Sequence, residues 1–287
     1  MTDAVQESLA EGVVLVGSGG ILGRAWLDLL KRLNIGYAAY NHRDLDITCQ
    51  GSLDAMIPPG TRVVINTAAY TDVDGAEGEE EEAYQVNCTA VGHLGRRCQS
   101  VGCTLIHYST DYVFAGTAME PYQVDAPLQP VNAYGRTKAA GERVLRETGC
   151  DHLLIRTSWL YAPWGSNFVL RMLQLMQQRD SLRVVDDQRG RPASAVHLAQ
   201  VSLDLYRTGA RDTWHVTDAG DCTWYEFAIE ILQQTQQTCR IDPCPSAEFP
   251  RPATRPHYSV LDLSQTENFL KPLAFWKTNL AEVLRQI

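Results

Sequence analysis

Three glycines, each three residues after the last, follow the first apolar run of this chain. They are Gly17, Gly20 and Gly23; the run is Val13–Val16, and Ile21–Leu33 continues with helical periodicity. In a strand–turn–helix unit of this kind, the first glycine permits a tight turn. The second lets the backbone approach a pyrophosphate, and the third allows close packing of the helix on the sheet. The helix N-terminus then faces the phosphates, so the spacing predicts a nucleotide-binding turn.

The first half of the chain continues as an alternation of short apolar runs and helical segments. Strands are predicted at Tyr37–Tyr40, Arg62–Asn66, Thr104–Tyr108 and Leu153–Arg156, and helices at Ala83–Ser100 and Ala133–Glu147. Continuous apolar strands joined by helical crossovers make a parallel sheet that is covered on both faces. We therefore predict an α/β fold: a doubly wound, Rossmann-type parallel sheet with ligands at the carboxyl ends of its strands.

The elements become shorter after residue 158. Helices are predicted at Asn167–Gln178, Val196–Tyr206, Thr223–Gln234 and Asn279–Arg285, strands at Leu182–Val185 and Trp214–Val216, and a proline-rich stretch runs from Pro243 to Pro256. Thr223 and Glu226 have the spacing of a capping box. We predict a cofactor-binding domain over residues 1–158, with elements of its sheet returning around 195–218. Residues 159–287 are predicted to form a smaller, mainly substrate-binding domain.

Composition excludes several classes of function. The 287 residues include 34 acidic and 25 basic side chains, and the net charge of −9 argues against nucleic-acid binding. No apolar run reaches the length of a membrane span, and residues 1–12 read as a short disordered leader rather than a signal peptide. The eight cysteines form no C-x-x-C pair and show no zinc-like spacing. We expect buried free thiols in a cytoplasmic protein.

Tyr134 and Lys138 lie four residues apart in a predicted helix, so their side chains share one face. A nearby ammonium ion favours the ionised phenol, so we expect the pKa of Tyr134 to be lowered from its reference of about 10. Ser109, Thr110 and Asp111 end the preceding strand, where a doubly wound sheet places its reacting groups. Their hydroxyls could bind a substrate carbonyl or simply cap a turn. Together with the glycine turn, these residues predict a nicotinamide-dependent carbonyl reductase.

The end of the second strand bears on the choice of cofactor. A carboxylate there would bind the ribose 2′-hydroxyl of NADH and repel the 2′-phosphate of NADPH. This chain has Asn41 and Arg43 instead. An amide and a guanidinium suit a 2′-phosphate, although Arg43 could equally be a solvated loop residue. We predict NADPH as the cofactor, with NADH tolerated.

These motifs resemble the extended short-chain dehydrogenase/reductase family, and within it the branch that reduces nucleotide-linked keto-sugars. The resemblance covers nearly the whole chain. Besides the glycine turn and the Tyr134–Lys138 pair, it is carried by Asn66–Thr71, Ser109–Phe114, Arg156–Tyr161, Asn167–Phe168, Val185–Gln188, Trp224–Ala228 and Arg255–Asp262. Each segment alone identifies the family only weakly, but the order and spacing of all the segments together are specific to it.

The resemblance implies hydride transfer to the C4 ketone of a 4-keto-6-deoxy-L-hexose attached to dTDP. Tyr134 would donate the proton, Thr110 would align the ketone, and Lys138 would hold the nicotinamide ribose. Implied substrate contacts are Thr110, Asp111, Trp159, Asn167 and Arg255. Implied cofactor contacts are Gly17, Gly20, Ile21, Leu22, Gly23, Asn41, Arg43, Asp46, Ile47, Ala69, Tyr70, Thr71, Tyr108, Tyr134 and Lys138. Asn87 could relay protons or simply pack its helix.

The chain also departs from its relatives. Arg189 and Arg191 stand where relatives often have small or apolar residues, and they could clamp a diphosphate or be surface charges. Thr67 replaces an alanine, and His197 an aspartate. Ala25 stands where some relatives use a glutamate for a magnesium-bridged dimer contact. We therefore predict no metal, and a homodimer stays an open alternative.

Two other functions fit part of this pattern. A regulatory subunit of the methionine adenosyltransferase type shares the fold and a similar triad but binds NADP without catalysis. Trp159 argues against it, because a stacking aromatic residue at that position suits a sugar. A related nucleotide-sugar ketoreductase or epimerase is the other alternative, although no second base for an epimerase is visible.

Overall fold

The computed structural model describes residues 12–287; the predicted leader, apart from Gly12, lies outside the described residues. The strands are β1 (Val13–Val16), β2 (Tyr37–Tyr40), β3 (Val63–Asn66), β4 (Thr104–Thr110), β5 (His152–Thr157), β6 (Leu160–Tyr161), β7 (Ser181–Val185), β8 (Arg189–Gly190), β9 (Ala193–Ser194), β10 (Asp212–His215), β11 (Cys222–Thr223) and β12 (Arg240–Cys244). The helices are α1 (Ile21–Arg32), α2 (Gln50–Met56), α3 (Glu80–Tyr84), α4 (Ala90–Val101), α5 (Ala133–Glu147), α6 (Phe168–Gln178), α7 (Ala195–Arg207), α8 (Trp224–Thr235), α9 (Ser264–Phe269) and α10 (Trp276–Leu284).

Six strands form one parallel sheet in the order β10-β5-β4-β3-β1-β2. After β1 the chain adds β2 on one side and then crosses back to add β3 on the other side. Such a switch of direction opens a crevice at the carboxyl ends of the two diverging strands, here β1 and β3. The predicted doubly wound α/β fold is confirmed, and β10 supplies its sixth strand.

Alternate residues of β1 face the two helical layers of the fold. Val13 and Leu15 belong to the core beneath α1 and α7, which also contains the fully buried Trp26. Val14 and Val16 belong to the core beneath α2, α4 and α5. Because both faces are covered, the strand reads as an uninterrupted apolar run.

The second half of the chain has a core of its own, built from α6, α8 and α10 against β7. Thr223 and Glu226 form the predicted capping box at the start of α8. The structure adds β12, which begins before the predicted proline-rich stretch, includes its first two residues and pairs in parallel with β7. Pro243 lies within this strand opposite Val184, and a proline is tolerated there because β12 is the edge of a two-stranded sheet.

The chain is helical throughout the predicted helix Ala83–Ser100, but it is not a regular α-helix. A π-helical turn at Gln85–Thr89 separates α3 from α4. Helix α5 approaches this turn so closely that a Cβ at Gly141 would lie 2.0 Å from the Asn87 carbonyl oxygen. Such turns often mark functional sites. Within residues 12–287, no helix combines the length and apolarity needed to cross a bilayer.

Candidate active site

A cleft of about 1060 Å³ follows the carboxyl edge of the sheet from the glycine turn to Trp159. Its volume is that of a typical ligand site. It brings together most of the residues predicted from the sequence: Gly17, Gly20, Ile21, Leu22, Asn41, Arg43, Asp46, Ile47, Ala69, Tyr70, Thr71, Tyr108, Thr110, Asp111, Tyr134, Lys138 and Trp159. Residues as far apart in sequence as Gly17 and Trp159, 142 positions, therefore meet in one site.

The glycine turn has the geometry that a dinucleotide needs. Gly17 has a φ of +83°, and a Cβ there would lie 2.5 Å from the backbone nitrogen of Ala68. Gly23 packs beneath the turn, where a Cβ would lie 2.2 Å from the Gly17 carbonyl oxygen. Gly20 precedes α1 without a side-chain cap, so the first amides of the helix are left for a ligand. These positively polarised backbone N–H groups fit a pyrophosphate.

Thr67 ties the glycine turn to the loop that follows β3. Its hydroxyl lies 2.8 Å from the carbonyl oxygen of Val16 and 3.0 Å from that of Gly17. An alanine, the residue expected from relatives, would leave both contacts unmade. The Thr67 side chain therefore fastens the glycine turn to the loop after β3.

Asn87, in the π-helical turn, holds the other end of the same loop. Its amide oxygen accepts from the Tyr70 backbone N–H at 3.0 Å, and its amide nitrogen donates to the Tyr70 carbonyl at 3.0 Å. The same nitrogen lies 3.1 Å from the Thr137 hydroxyl. With these contacts made, Asn87 acts as a positioning amide, and the geometry favours this role over a proton relay.

The end of β2 forms a tight turn at the far end of the cleft. The Asn41 side-chain oxygen accepts from the Arg43 backbone N–H at 2.8 Å, so this amide shapes the turn. The guanidinium of Arg43 pairs with no other described residue and remains available at the cleft. His42 also lines this end, although nothing in the sequence pattern singled it out. Thr48 donates to Asp46 and thereby lowers the pKa of that carboxyl.

The reacting end of the cleft begins where β4 stops. The Thr110 hydroxyl accepts from the Tyr112 backbone N–H at 3.2 Å and donates to Asp111 Oδ1 at 2.9 Å. Thr110 thus caps the turn, as the simpler interpretation expected, and its hydroxyl lies beside Tyr134. Burial raises the pKa of Asp111 to about 7.

Unpartnered polar atoms mark this end of the cleft as a binding site. Ser109 Oγ, Asp111 Oδ2 and Thr157 Oγ1 are buried without a hydrogen-bond partner among the described residues. All three residues line the cleft. Buried polar groups in proteins are nearly always paired, so three such atoms in one place indicate a missing polar ligand.

Helix α5 presents Tyr134 and Lys138 to the cleft, and Asn132 caps its start by accepting from the Gly135 backbone N–H at 2.8 Å. The predicted lowering of the tyrosine pKa is wrong for the protein without its ligands. Burial, with the charge of Asp111 added to it, raises the pKa of Tyr134 to about 12. The charge of Lys138 does not outweigh this burial, and the Lys138 ammonium donates to the Tyr108 carbonyl at 2.6 Å. Burial lowers the pKa of Lys138 itself to about 8.

Trp159 and a second indole, that of Trp224, line the part of the cleft that is predicted to bind the sugar. The ring of Trp224 lies parallel to that of Trp159, with 3.5 Å between centroids and 10° between planes. Sequence reasoning had placed Trp224 only in a family motif. No local pattern signals this contact, because only the fold brings the two indoles together.

Two predicted substrate contacts lie outside the cleft lining. Asn167 caps α6, accepting from Leu170 at 3.2 Å and donating to the carbonyls of Ala162 and Trp164. Arg255 pairs with Asp74 at 3.0 Å. Their side chains are used within the protein, so the geometry supports no substrate contact for either in this state.

The contacts of Arg189 and Arg191 argue against their proposed role as a diphosphate clamp. Arg189 pairs with Asp221 at 2.7 Å and with Glu226 at 3.1 Å. Arg191 is partly buried and reaches the Gly220 carbonyl only at 3.5 Å. Neither residue lines the cleft. The structure therefore favours structural roles for both.

Comparison with known proteins gives the family. The family model of the RmlD substrate binding domain matches residues 11–287, nearly the whole chain. The chain belongs to the RmlD substrate binding domain family. A dTDP-4-keto-6-deoxy-D-glucose reductase of Streptomyces niveus is 39% identical over 275 residues, which cover 94% of this chain and 95% of the relative. A dTDP-4-dehydrorhamnose reductase of Streptomyces griseus is 38% identical over 281 residues, with coverage of 94% and 91%.

A solved structure extends the comparison to three dimensions. The dTDP-4-dehydrorhamnose reductase of Bacillus anthracis, crystallised in complex with NADP, superposes with a TM-score of 0.91 at 32% identity. The alignment covers 96% of this chain and 99% of that protein. The resemblance inferred from the sequence motifs is confirmed. The roles of individual residues in this RmlD-family chain stay predictions.

Proposed function

We propose that this chain is an NADPH-dependent reductase that acts on the C4 ketone of a dTDP-4-keto-6-deoxy-L-hexose and forms dTDP-L-rhamnose. The observation that carries the proposal is the shared cleft. Tyr134, Thr110 and Lys138 lie in it together with the glycine turn, in a chain matched end to end by relatives named for this kind of reaction. We expect NADPH to be preferred and NADH to be accepted.

The residues of the cleft fit such a cofactor along its whole length. The amides of the glycine turn would hold the pyrophosphate, Arg43 the 2′-phosphate, and Asp46 with Ile47 the adenine. The loop that Thr67 and Asn87 fix would border the inner half. When bound, the nicotinamide supplies the hydride, and the protein contributes position and electrostatics.

Tyr134 is suited to donate the proton to the carbonyl oxygen. With a pKa of about 12 the phenol is fully protonated at neutral pH, which is the form that a reduction requires. The adjacent Thr110 hydroxyl can rotate from Asp111 towards the same oxygen, because a hydroxyl has one proton and two acceptor positions. Together the two groups stabilise the negative charge that develops on the oxygen during reduction.

Lys138 supports the proton donor through its charge. With a pKa of about 8, most of its side chain is charged at pH 7. The Tyr108 carbonyl takes one of the three ammonium protons and fixes the side chain. The other two are free for ribose hydroxyls, and the positive charge stabilises the phenolate left on Tyr134 after proton transfer.

Asp111 and Trp159 are proposed to contact the deoxysugar. The Asp111 Oδ2 atom is buried without a partner at the reacting end, so a sugar hydroxyl would complete its hydrogen bonding. Trp159 lies one strand further along the same edge and borders the cleft beside Leu160. Asn167 would act indirectly, by fixing the loop from Ala162 to Ser166.

A second candidate substrate comes from one specific observation. The Streptomyces niveus relative is named for a D-configured keto-sugar, the form that exists before epimerisation. NADPH oxidation with dTDP-4-keto-6-deoxy-D-glucose, in the presence and absence of a 3,5-epimerase, separates the two. Consumption only with the epimerase supports the L-sugar, and consumption without it supports the D-sugar. No consumption in either case would revive the regulatory NADP-binding alternative.

We further propose a cytoplasmic enzyme, and a homodimer that needs no metal bridge. All eight cysteines lie in the described part of the chain as free thiols, seven of them buried, which suits a reducing compartment. Ala25 is buried in the α1 core, where it offers no ligand for a cation. Sedimentation velocity with and without a chelator tests the second point: a dimer that dissociates when metal is removed would contradict it.

A further inference from the structure

The two stacked indoles at the sugar end of the cleft form one unit. Trp159 and Trp224 both border the cleft, and their rings are nearly parallel at a centroid distance of 3.5 Å. Residues 159 and 224 come from different segments of the second half of the chain, so only the fold brings them together. At this separation and angle the two ring faces lie in van der Waals contact, nearly face to face.

Trp159 has a backbone conformation that is unusual for a bulky residue. Its φ is +45°, in the left-handed region that disfavours side chains with a large Cβ substituent. Residues in such conformations persist only where their surroundings hold them, and they cluster at functional sites. Gly190 contributes to this hold: a Cβ there would lie 2.7 Å from the indole Cε2 atom. Only a glycine at 190 admits the indole in this position.

Trp224 is held more firmly than the residue on which it stacks. It is the first residue of α8, directly after Thr223 and within the capping box that Thr223 and Glu226 form. The Glu226 carboxylate also pairs with Arg189, and the Phe168 ring packs 4.6 Å from the Trp224 ring. Trp224 is therefore the fixed member of the pair, and Trp159 is the strained one.

The edges of both rings remain available to a ligand. Neither indole N–H donates to an acceptor among residues 12–287, although four other tryptophans are present and three of their N–H groups do so. An indole edge combines an N–H donor with apolar carbons. A 6-deoxyhexose presents hydroxyl groups beside a methyl group, so the two surfaces match chemically.

We propose that Trp224 is a positioning residue for the sugar nucleotide: its ring holds Trp159 in the left-handed conformation, so that the Trp159 indole edge borders the sugar. The proposal rests on the function proposed above, because it concerns the sugar end of that site. It assigns no role to Trp224 at the cofactor end, which lies at the opposite side of the cleft.

Trp224→Ala tests the proposal, with Trp224→Phe as the conservative variant and Tyr225→Phe as the matched control on the next residue. Loss of the stack should raise the KM for the sugar nucleotide roughly threefold to tenfold, with a smaller change in kcat. Trp224→Phe should restore most of the affinity, and Tyr225→Phe should behave as the wild type. The Kd for NADPH should stay unchanged in all three variants.

Circular dichroism provides a readout of the stack that needs no activity. Two parallel indoles couple excitonically, so the wild type should show a couplet that Trp224→Phe and Trp224→Ala lack. An unchanged KM in a Trp224→Ala protein that has lost the couplet would overturn the proposal. An equal loss of NADPH affinity would also overturn it, because Trp224 would then support the fold in general.

Gly190→Ala offers a second route if Trp224→Ala does not fold. The added methyl group would lie 2.7 Å from the Trp159 indole and displace it, so the KM should rise in the same way; an unchanged KM would contradict the proposal. Calorimetric binding of a dTDP-sugar separates this test from the proposed function. If the wild type binds the sugar nucleotide but does not reduce it, the function fails, and the binding data still decide the role of Trp224.

Discussion

Tyr134→Phe removes one hydroxyl group from the centre of the proposed mechanism. The phenol has a pKa of about 12 and is fully protonated at neutral pH, so the wild type has its proton donor in place at every turnover. General acid catalysis typically contributes about 10²–10⁴-fold. We therefore expect turnover to fall by about that factor, which corresponds to roughly 3–5 kcal/mol of activation free energy. The fold should be preserved, because the ring stays in place.

The assay is single-turnover oxidation of NADPH with the keto-sugar nucleotide, and NADPH binding is followed separately by fluorescence. Tyr112→Phe is the matched control. Tyr112 also lines the cleft, and its ring meets that of Tyr134 edge-on at 6.1 Å. Tyr134→Phe should lose turnover and keep most of its NADPH affinity, whereas Tyr112→Phe should lose little. Turnover of Tyr134→Phe within threefold of the wild type, or an equal loss in Tyr112→Phe, would refute the assignment.

Three further predictions follow from particular contacts. Thr67→Ala should raise the Kd for NADPH about fivefold, because a hydrogen bond is worth about 1 kcal/mol, and Thr67→Ser should restore the wild-type Kd. Equal Kd values for the two variants in a fluorescence titration would contradict the role of the Thr67 hydroxyl. The kcat/KM at limiting NADPH should decline above pH about 8, where the Lys138 ammonium loses its proton, and Lys138→Arg should move that decline to higher pH in a pH–rate profile. A decline that stays in place would exclude Lys138. Arg156→Met should cost up to about 3–5 kcal/mol of unfolding free energy in urea, because the buried Glu142 carboxylate loses its partner at 2.7 Å and keeps only the partly exposed Arg146, at 3.0 Å, as an ionic partner among the described residues. Arg136→Met is the control: it removes the exposed ion pair with Glu80 and should lower the free energy of unfolding by less than about 1 kcal/mol.

The sheet and the cofactor end could be predicted from the sequence because their signals are local. An apolar run such as Val13–Val16 has few alternatives to a buried strand, and Gly17 occupies a conformation that its spacing already indicated. The helix of Tyr134 and Lys138 begins at Asn132, a residue that favours helix starts. In each case the residues that decide the structure are neighbours in the chain.

The remaining features depend on contacts between distant segments. The raised pKa of Tyr134 follows from desolvation, and the sequence alone shows only the ammonium of Lys138. The stacking of Trp224 on Trp159 requires the fold of the second half of the chain. The π-helical turn at Gln85–Thr89 lies against Gly141, more than 50 residues later. None of these has a signal that a local pattern could supply.

The account depends on hydride delivery from the nicotinamide to the C4 carbon of the sugar. NADPH that carries deuterium at both C4 positions of the nicotinamide tests this directly, with the sugar product analysed by NMR and mass spectrometry. One deuterium at C4 of the hexose is the predicted result. A product without deuterium, or with deuterium at another carbon, would contradict it.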